Sequence, residues 1–206
     1  MEVCTTYTLT ADNSLKAEYS AVSDKKTIVN ITNHAFFNLR GYDGGDVLET
    51  ELQINADGYT LTDSELIPTG EILPVAGTPL DFTKAKPIGK DINSQECLMD
   101  ITKGYDHNFA LNHSRDGLVE KAAEAYDPQS GRKMEIFTDL PGIQLYTTNS
   151  GGPKRGKSGV KIEPHHAFCL ETQLYPDAIH HKNFKSPVLE AGQQFHTTTI
   201  FHFSTK

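Results

Sequence analysis

The sequence has no long apolar run: nowhere do about eighteen hydrophobic residues follow one another, the length a membrane-crossing helix requires. Its opening, MEVCTTYTLTADNS, has neither the basic segment nor the apolar stretch of a secretory leader. Both absences lead to the expectation of a soluble, unexported, cytoplasmic chain with no membrane partner. Cysteine is scarce. Cys4, Cys97 and Cys169 are odd in number, far apart and without a CxxC pair, so free thiols are expected rather than a disulfide framework, a zinc site or a redox site. Positive charge is also short: 19 Lys+Arg against 27 Asp+Glu give a formal net charge of −8, which argues against a nucleic-acid partner. In an unexported chain, the triplets Asn30-Ile31-Thr32 and Asn112-His113-Ser114 are chance matches to glycosylation acceptors. No repeat, low-complexity tract or linker divides the sequence. A chain of 206 residues can bury one sizeable core, so residues 1–206 are expected to form a single domain.

Helix signals are few, and strand signals run almost throughout. TYTLT alternates, ADNS supplies turn residues and LKAEYSAV alternates again, which together read as a β-hairpin. TIVNITNH, VLETELQIN, GIQLYTTN, AFCLETQ and QQFHTTTIFHFS are further strand candidates, rich in β-branched and aromatic residues. LVEKAAEAYD contains good helix formers, yet the turn cluster DPQSGR follows it and KMEIFTD beyond alternates cleanly. A hairpin explains both flanks, and two strands are expected there. Between residues 66 and 90, Pro68, Pro74, Pro79 and Pro87 predict a long surface connection with short extended pieces. Helix is confined, at most, to KPIGKDINSQECLMD. Many short strands joined by turns predict an all-β sandwich.

Nine histidines are available for chemistry. The tandem pairs His165-His166 and His180-His181 invite a metal, but neighbours in a strand point to opposite faces and seldom share one ion, so no metal site is expected. GGPKRGKSG, residues 151–159, lacks the GxxxxGK[ST] spacing that wraps a phosphate and reads as a solvated loop. His34 in TNHAFFNL, Asp106 in KGYDHNF, Gln144 in PGIQLYTTN and Glu171 in FCLETQ remain. Taken singly, each has an ordinary structural explanation. Glu171 fits that explanation least, because it follows the apolar run Ala167, Phe168, Cys169 and Leu170, where an unpaired carboxylate is costly to bury.

NITNHAFFNLRGY, IPTGEILPVAGTPLDF, GYDHNFAL, GIQLYTTN and FCLETQLYPDAIH, in that order, resemble the aldose 1-epimerases, also called galactose mutarotases. The resemblance runs from about YTLT to the last residues. It implies a large antiparallel β-sandwich, the galactose mutarotase-like supersandwich, whose open face binds a free aldohexose. It also implies interconversion of the α and β anomers without cofactor or metal. The histidine of the family's NHxYFNL motif, a general acid, matches His34, with Phe36 where tyrosine is commoner. The glutamate of its LETQ motif, a general base, matches Glu171. Asp106 occupies the place of an aspartate that contacts sugar hydroxyls, and Gln144 that of a glutamine in the pocket. Thr148 stands where glycine is common, so a differently shaped loop is expected after it.

The resemblance also implies a departure at the front, since family members carry a substantial portion before the YTLT strand, including an arginine and a histidine that help hold the sugar. A sandwich short of those N-terminal strands would leave apolar sheet surface uncovered, and a partner chain or self-association covering it is expected. Two other functions stay open from the residues. One is a non-catalytic sugar-binding or structural protein, lacking the residues that position the sugar. The other is a glycoside-cleaving enzyme using Asp106 and Glu171 as a carboxylate pair, which leaves His34 without a role.

Overall fold

The computed structural model describes residues 1–150 and 156–206. At its front, strands β1 (Glu2–Leu9) and β2 (Ser14–Val22) form the hairpin that the alternation predicts, with Leu9 opposite Leu15. The turn between them closes through Thr10, whose Oγ1 donates to the Ser14 carbonyl at 3.0 Å, and through Asn13 in the left-handed region at φ 63°. The remaining strands are β3 (Thr27–Ile28), β4 (Glu51–Ile54), β5 (Ala56–Thr62), β6 (Pro68–Pro74), β7 (Lys86–Pro87), β8 (Asp106–Leu111) and β9 (Glu120–Tyr126). They continue with β10 (Arg132–Thr138), β11 (Gly142–Tyr146), β12 (Cys169–Gln173), β13 (Val188–Leu189) and β14 (Gln194–Thr205).

Two antiparallel sheets make the sandwich. One runs β1-β2-β14-β10-β9-β4-β7 and the other β12-β11-β8-β5-β6, with β13 and β3 as a separate pair. Period-two alternation turns Leu52, Ile54, Ala125, Met134, Ile136 and Phe201 of the larger sheet and Phe109, Ile143, Leu145 and Leu170 of the smaller one into a common core. The LVEKAAEAYD segment is a strand, β9. An extra residue in it, Ala122, bulges between the pairs Ala123–Ile136 and Lys121–Phe137. That bulge is why Ala122 and Ala123 are both buried.

Three stretches differ from expectation. The proline-rich connection is not wholly at the surface: Val75, Leu80, Phe82 and Ile88 from it are buried in the core, and Phe82 packs edge-on against Tyr105 at 5.2 Å. Among the described residues, helix amounts to 3₁₀ turns at Ile88–Lys90 and, outside the expected segment, at Lys157–Gly159, and one α turn, α1 (Met99–Thr102), which overlaps the end of the expected segment and passes beyond it. The strand read over TIVNITNH stops at Ile28; the Val29 amide still donates to the Pro187 carbonyl at 2.9 Å, and the next residues are held by side chains instead. Asn30 imitates a strand neighbour: its Nδ2 donates to the Leu174 carbonyl at 2.9 Å, and its Oδ1 accepts from the Leu174 amide at 3.0 Å. An isolated bridge between Phe37 and Phe168 fastens the far end. The basic run at 151–159 lies largely outside the described residues.

β1 lies at the edge of the larger sheet and is exposed along its length. Val3, Tyr7 and Leu9 sit opposite Ala21, Ala17 and Leu15, on the side that β2 turns to the interior, yet they are 47 %, 56 % and 81 % exposed.

Candidate active site

Three neighbouring strands of the smaller sheet put polar side chains on one face. In register, Gln144 of β11 stands between Asn108 of β8 and Glu171 of β12, and Tyr146 stands between Asp106 and Cys169. Residues directly opposite across an antiparallel pair share a face. One face of the sheet therefore carries Asp106, Asn108, Gln144, Tyr146, Cys169, Glu171 and Gln173, while Phe109, Ile143, Leu145 and Leu170 between them fill the core. Gly142, opposite Gln173, keeps this face open: a Cβ there would stand 2.6 Å from Asn108 Oδ1 and 2.9 Å from the Tyr175 ring.

The hydrogen bonds on this face have a direction. Gln144 donates from its Nε2 to Asp106 Oδ1 at 2.7 Å and turns its Oε1 toward Gln173. Gln173 Nε2 donates to Gln144 Oε1 at 3.1 Å and to Asn108 Oδ1 at 3.0 Å, and Asn108 Nδ2 donates to Thr60 Oγ1 at 3.4 Å. Asp106 is fixed from behind as well. Its amide donates to Nδ1 of the buried His107 at 3.0 Å, whose Nε2 meets the Cys97 carbonyl at 2.7 Å. Burial holds the His107 pKa below its ordinary value, which keeps the ring neutral in that role.

His34 reaches the same face from the segment pinned by Asn30 and Phe37. Asn33 Oδ1 accepts from the Ala35 amide at 3.0 Å, making a local turn around the histidine. Asn38 Nδ2, four residues on, donates to the carbonyls of Gly45 and His166. The imidazole then lies along β12, with Nε2 3.3 Å from Glu171 Oε1 and Nδ1 3.5 Å from Cys169 Sγ. Phe36 lies beside its ring at 4.9 Å between centroids, and Tyr146 meets it edge-on at 6.1 Å. Exposure separates the pair: the His34 side chain is 51 % exposed and that of Glu171 10 %. Burial pushes the Glu171 carboxyl above its usual range. The charge of a protonated His34 opposes that rise, and the negative charge of Asp106 adds to it.

The structure thus brings His34, Glu171, Asp106 and Gln144 onto one surface. Cys169, Asn108 and Gln173 belong to the same surface and were not singled out from the sequence. The available signal was the strand period, which puts positions two residues from Glu171 and Asp106 on their face. Thr148 takes the backbone conformation a glycine would, with φ 51°, and its Oγ1 donates to the Ala167 carbonyl at 2.8 Å. Three of the four tandem histidines are engaged elsewhere: His165 Nδ1 at the Thr147 carbonyl, His180 at Asp177 and His181 Nε2 at the Pro68 carbonyl.

This architecture is the galactose mutarotase-like β-sandwich. An aldose epimerase homologue from C. elegans superposes with a TM-score of 0.85 at 27 % identity, over 98 % of this chain and 59 % of its own. Galactose 1-epimerase from Lactobacillus acidophilus superposes with a TM-score of 0.81 at 29 % identity, over 98 % and 57 %. A family profile described as aldose 1-epimerase matches residues 1–202, and the chain belongs to that family. Galactose mutarotase from Rattus norvegicus is 40 % identical over 205 residues, covering 99 % of this chain and 58 % of the rat protein. Aldose 1-epimerase from Escherichia coli is 34 % identical over 204 residues, covering 96 % and 57 %. The chain therefore spans somewhat under three-fifths of the length of these curated relatives.

Proposed function

We propose that this chain carries the acid–base pair of an aldose 1-epimerase and interconverts the α and β anomers of a free aldohexose of the glucose or galactose type. Glu171 acts as base and His34 as acid, and Asp106 and Gln144 hold sugar hydroxyls. Glu171 takes the proton from O1, His34 gives one to the ring oxygen O5, and the C1–O5 bond opens to the aldehyde. Rotation about C1–C2 presents the other carbonyl face, and the same groups run in reverse to close the ring. The observation that carries this reading is the 3.3 Å approach of His34 Nε2 to Glu171 Oε1. O1 and O5 are bonded to the same carbon, so an acid and a base serving both must converge on neighbouring atoms. The relatives named for this reaction support the same reading. The steps are proton transfers coupled to opening and closing of the C1–O5 bond, with no change of oxidation state, and the reading requires no cofactor.

Polarimetry on freshly dissolved α-D-glucose and α-D-galactose tests it. The expected result is equilibration faster than the buffer-catalysed rate; a rate equal to buffer for both sugars overturns the assignment.

The reading treats residues 1–206 as one β-sandwich unit in the cytoplasm, where the free thiols Cys4, Cys97 and Cys169 are compatible with a reducing environment. Among the described residues, no helix is long and apolar enough to cross a membrane. The uncovered Val3, Tyr7 and Leu9 on β1, and that strand's unpaired edge, support a covering partner chain or second copy. A monomer in sedimentation analysis that binds no apolar dye overturns this part of the proposal.

A further inference from the structure

We propose that His34, Cys169 and Glu171 together form a chelating site for a thiophilic divalent cation of the Zn²⁺ class, and that filling it silences the acid–base pair. The inference rests on the reading of His34 and Glu171 as acid and base only for its second half; the metal site stands on geometry alone.

A ring nitrogen of His34, the Cys169 sulfur and a Glu171 carboxylate oxygen lie within 4.8 Å of one another. The tightest constraint is the sulfur–nitrogen pair, with Sγ 3.5 Å from Nδ1. In tetrahedral zinc sites, bonds of about 2.0 Å to nitrogen and 2.3 Å to sulfur place those ligands roughly 3.5 Å apart. Two of the three donors need no rearrangement of the chain to converge. Cys169 and Glu171 are alternate residues of β12 and share its face, and their backbone is held by pairing with β11. His34 comes from the segment pinned through Asn30 and the Phe37–Phe168 bridge. Sulfur, imidazole and carboxylate are all zinc donors, and three protein ligands with a fourth position left for water is the arrangement of open zinc sites. Coordination replaces the S–H bond by a metal–sulfur bond and releases the thiol proton to buffer, with no change of oxidation state.

The consequence for the acid–base pair is direct. A Glu171 oxygen committed to the ion can no longer take the O1 proton, so the cation inhibits rather than assists whichever ring nitrogen of His34 it holds. The half-exposed His34 ring gives an ion a route to the buried sulfur and carboxylate.

The test uses the whole chain, with Cd²⁺ as a spectroscopic probe and Zn²⁺ as the inhibitor. Cd²⁺ is expected to raise a thiolate-to-metal absorption that saturates near one equivalent. Saturating Zn²⁺ is expected to lower the catalysed polarimetric rate by roughly a hundredfold, and a chelator should restore it. Cys169→Ser, close in size, should lose the absorption, while Cys4→Ser should keep it. An absorption that persists in Cys169→Ser, or none in the parent chain, overturns the site. Accelerated mutarotation that continues undiminished at saturating Zn²⁺ overturns the inhibition while leaving the proposed function standing. Absorption without any accelerated mutarotation upholds the site and defeats the functional reading instead. If Cys169→Ser does not fold, Glu171→Gln keeps the thiol and must raise the Cd²⁺ midpoint by at least about tenfold; an unchanged midpoint overturns the three-ligand site.

Discussion

Glutamine in place of Glu171 is expected to slow catalysed mutarotation by roughly a hundred- to ten-thousandfold while leaving the urea midpoint unchanged or higher. The substitution preserves volume, and the amide oxygen can still accept from His34 Nε2 across the 3.3 Å contact. An amide oxygen is too weak a base to take the O1 proton, so the chemistry stops while the packing survives. Stability moves the other way because burial already resists the charge on Glu171 and holds its pKa up. A carboxyl whose folded pKa is raised gives up stability as pH climbs from the unfolded value, about 4.3, through the folded one. The neutral amide removes that loss, so the variant should match the parent in acid and equal or exceed it near neutrality. His34→Asn should lower the rate similarly. Paired polarimetry and urea curves separate the readings: parental rates in either variant sink the acid–base assignment, and a loss of fold in Glu171→Gln makes the carboxylate structural.

The sandwich was legible where alternation was intact and turns were marked, as in β2, β10 and β14. It was legible even in β9, where Glu, Lys and Ala favour helix, because DPQSGR and the alternating strand beyond left a hairpin as the consistent reading. It was illegible where side chains replace the backbone ladder. Asn30 satisfies both Leu174 backbone groups, so the segment after Ile28 is fastened without being a strand, and no periodic pattern announces that. The core residues of the proline-rich stretch were hidden for a related reason: Val75, Leu80, Phe82 and Ile88 are buried one by one from an irregular backbone. The candidate site was legible through family motifs and not through composition, since each of its residues alone has an ordinary explanation. Its wider polar face needed the register of β8, β11 and β12, which decides that Asn108, Cys169 and Gln173 stand beside the residues already suspected.

Alanine in place of Asp127 is expected to destabilise the chain by about 3–5 kcal/mol. Asp127 is fully buried at the end of β9, and the Arg40 Nε donates to its Oδ1 at 2.8 Å. The Ser130 amide donates to its other oxygen at 2.7 Å, closing the DPQSGR turn. Removing the carboxylate strands a guanidinium that is 15 % exposed and whose Nη2 already has no partner among the described residues. Leaving one member of a buried pair uncompensated is the costly case. Burial alone would raise the Asp127 pKa, but the hydrogen bonds from Arg40 and Ser130 outweigh it and hold it below the usual carboxylate value. The sign follows: the contribution is present above the unfolded value of about 3.9 and fades as pH falls through the lower folded one. Parent and variant urea midpoints should therefore differ most near neutrality and converge in strong acid, with the m value unchanged. The effect should also reach the candidate site. Arg40 follows the His34 segment directly, and Arg132 Nη1 in the same turn donates to the Leu39 carbonyl at 2.8 Å. A variant as stable as the parent near neutrality would show the pair to be dispensable; a gap that stays constant into acid would show that its contribution is packing and not charge.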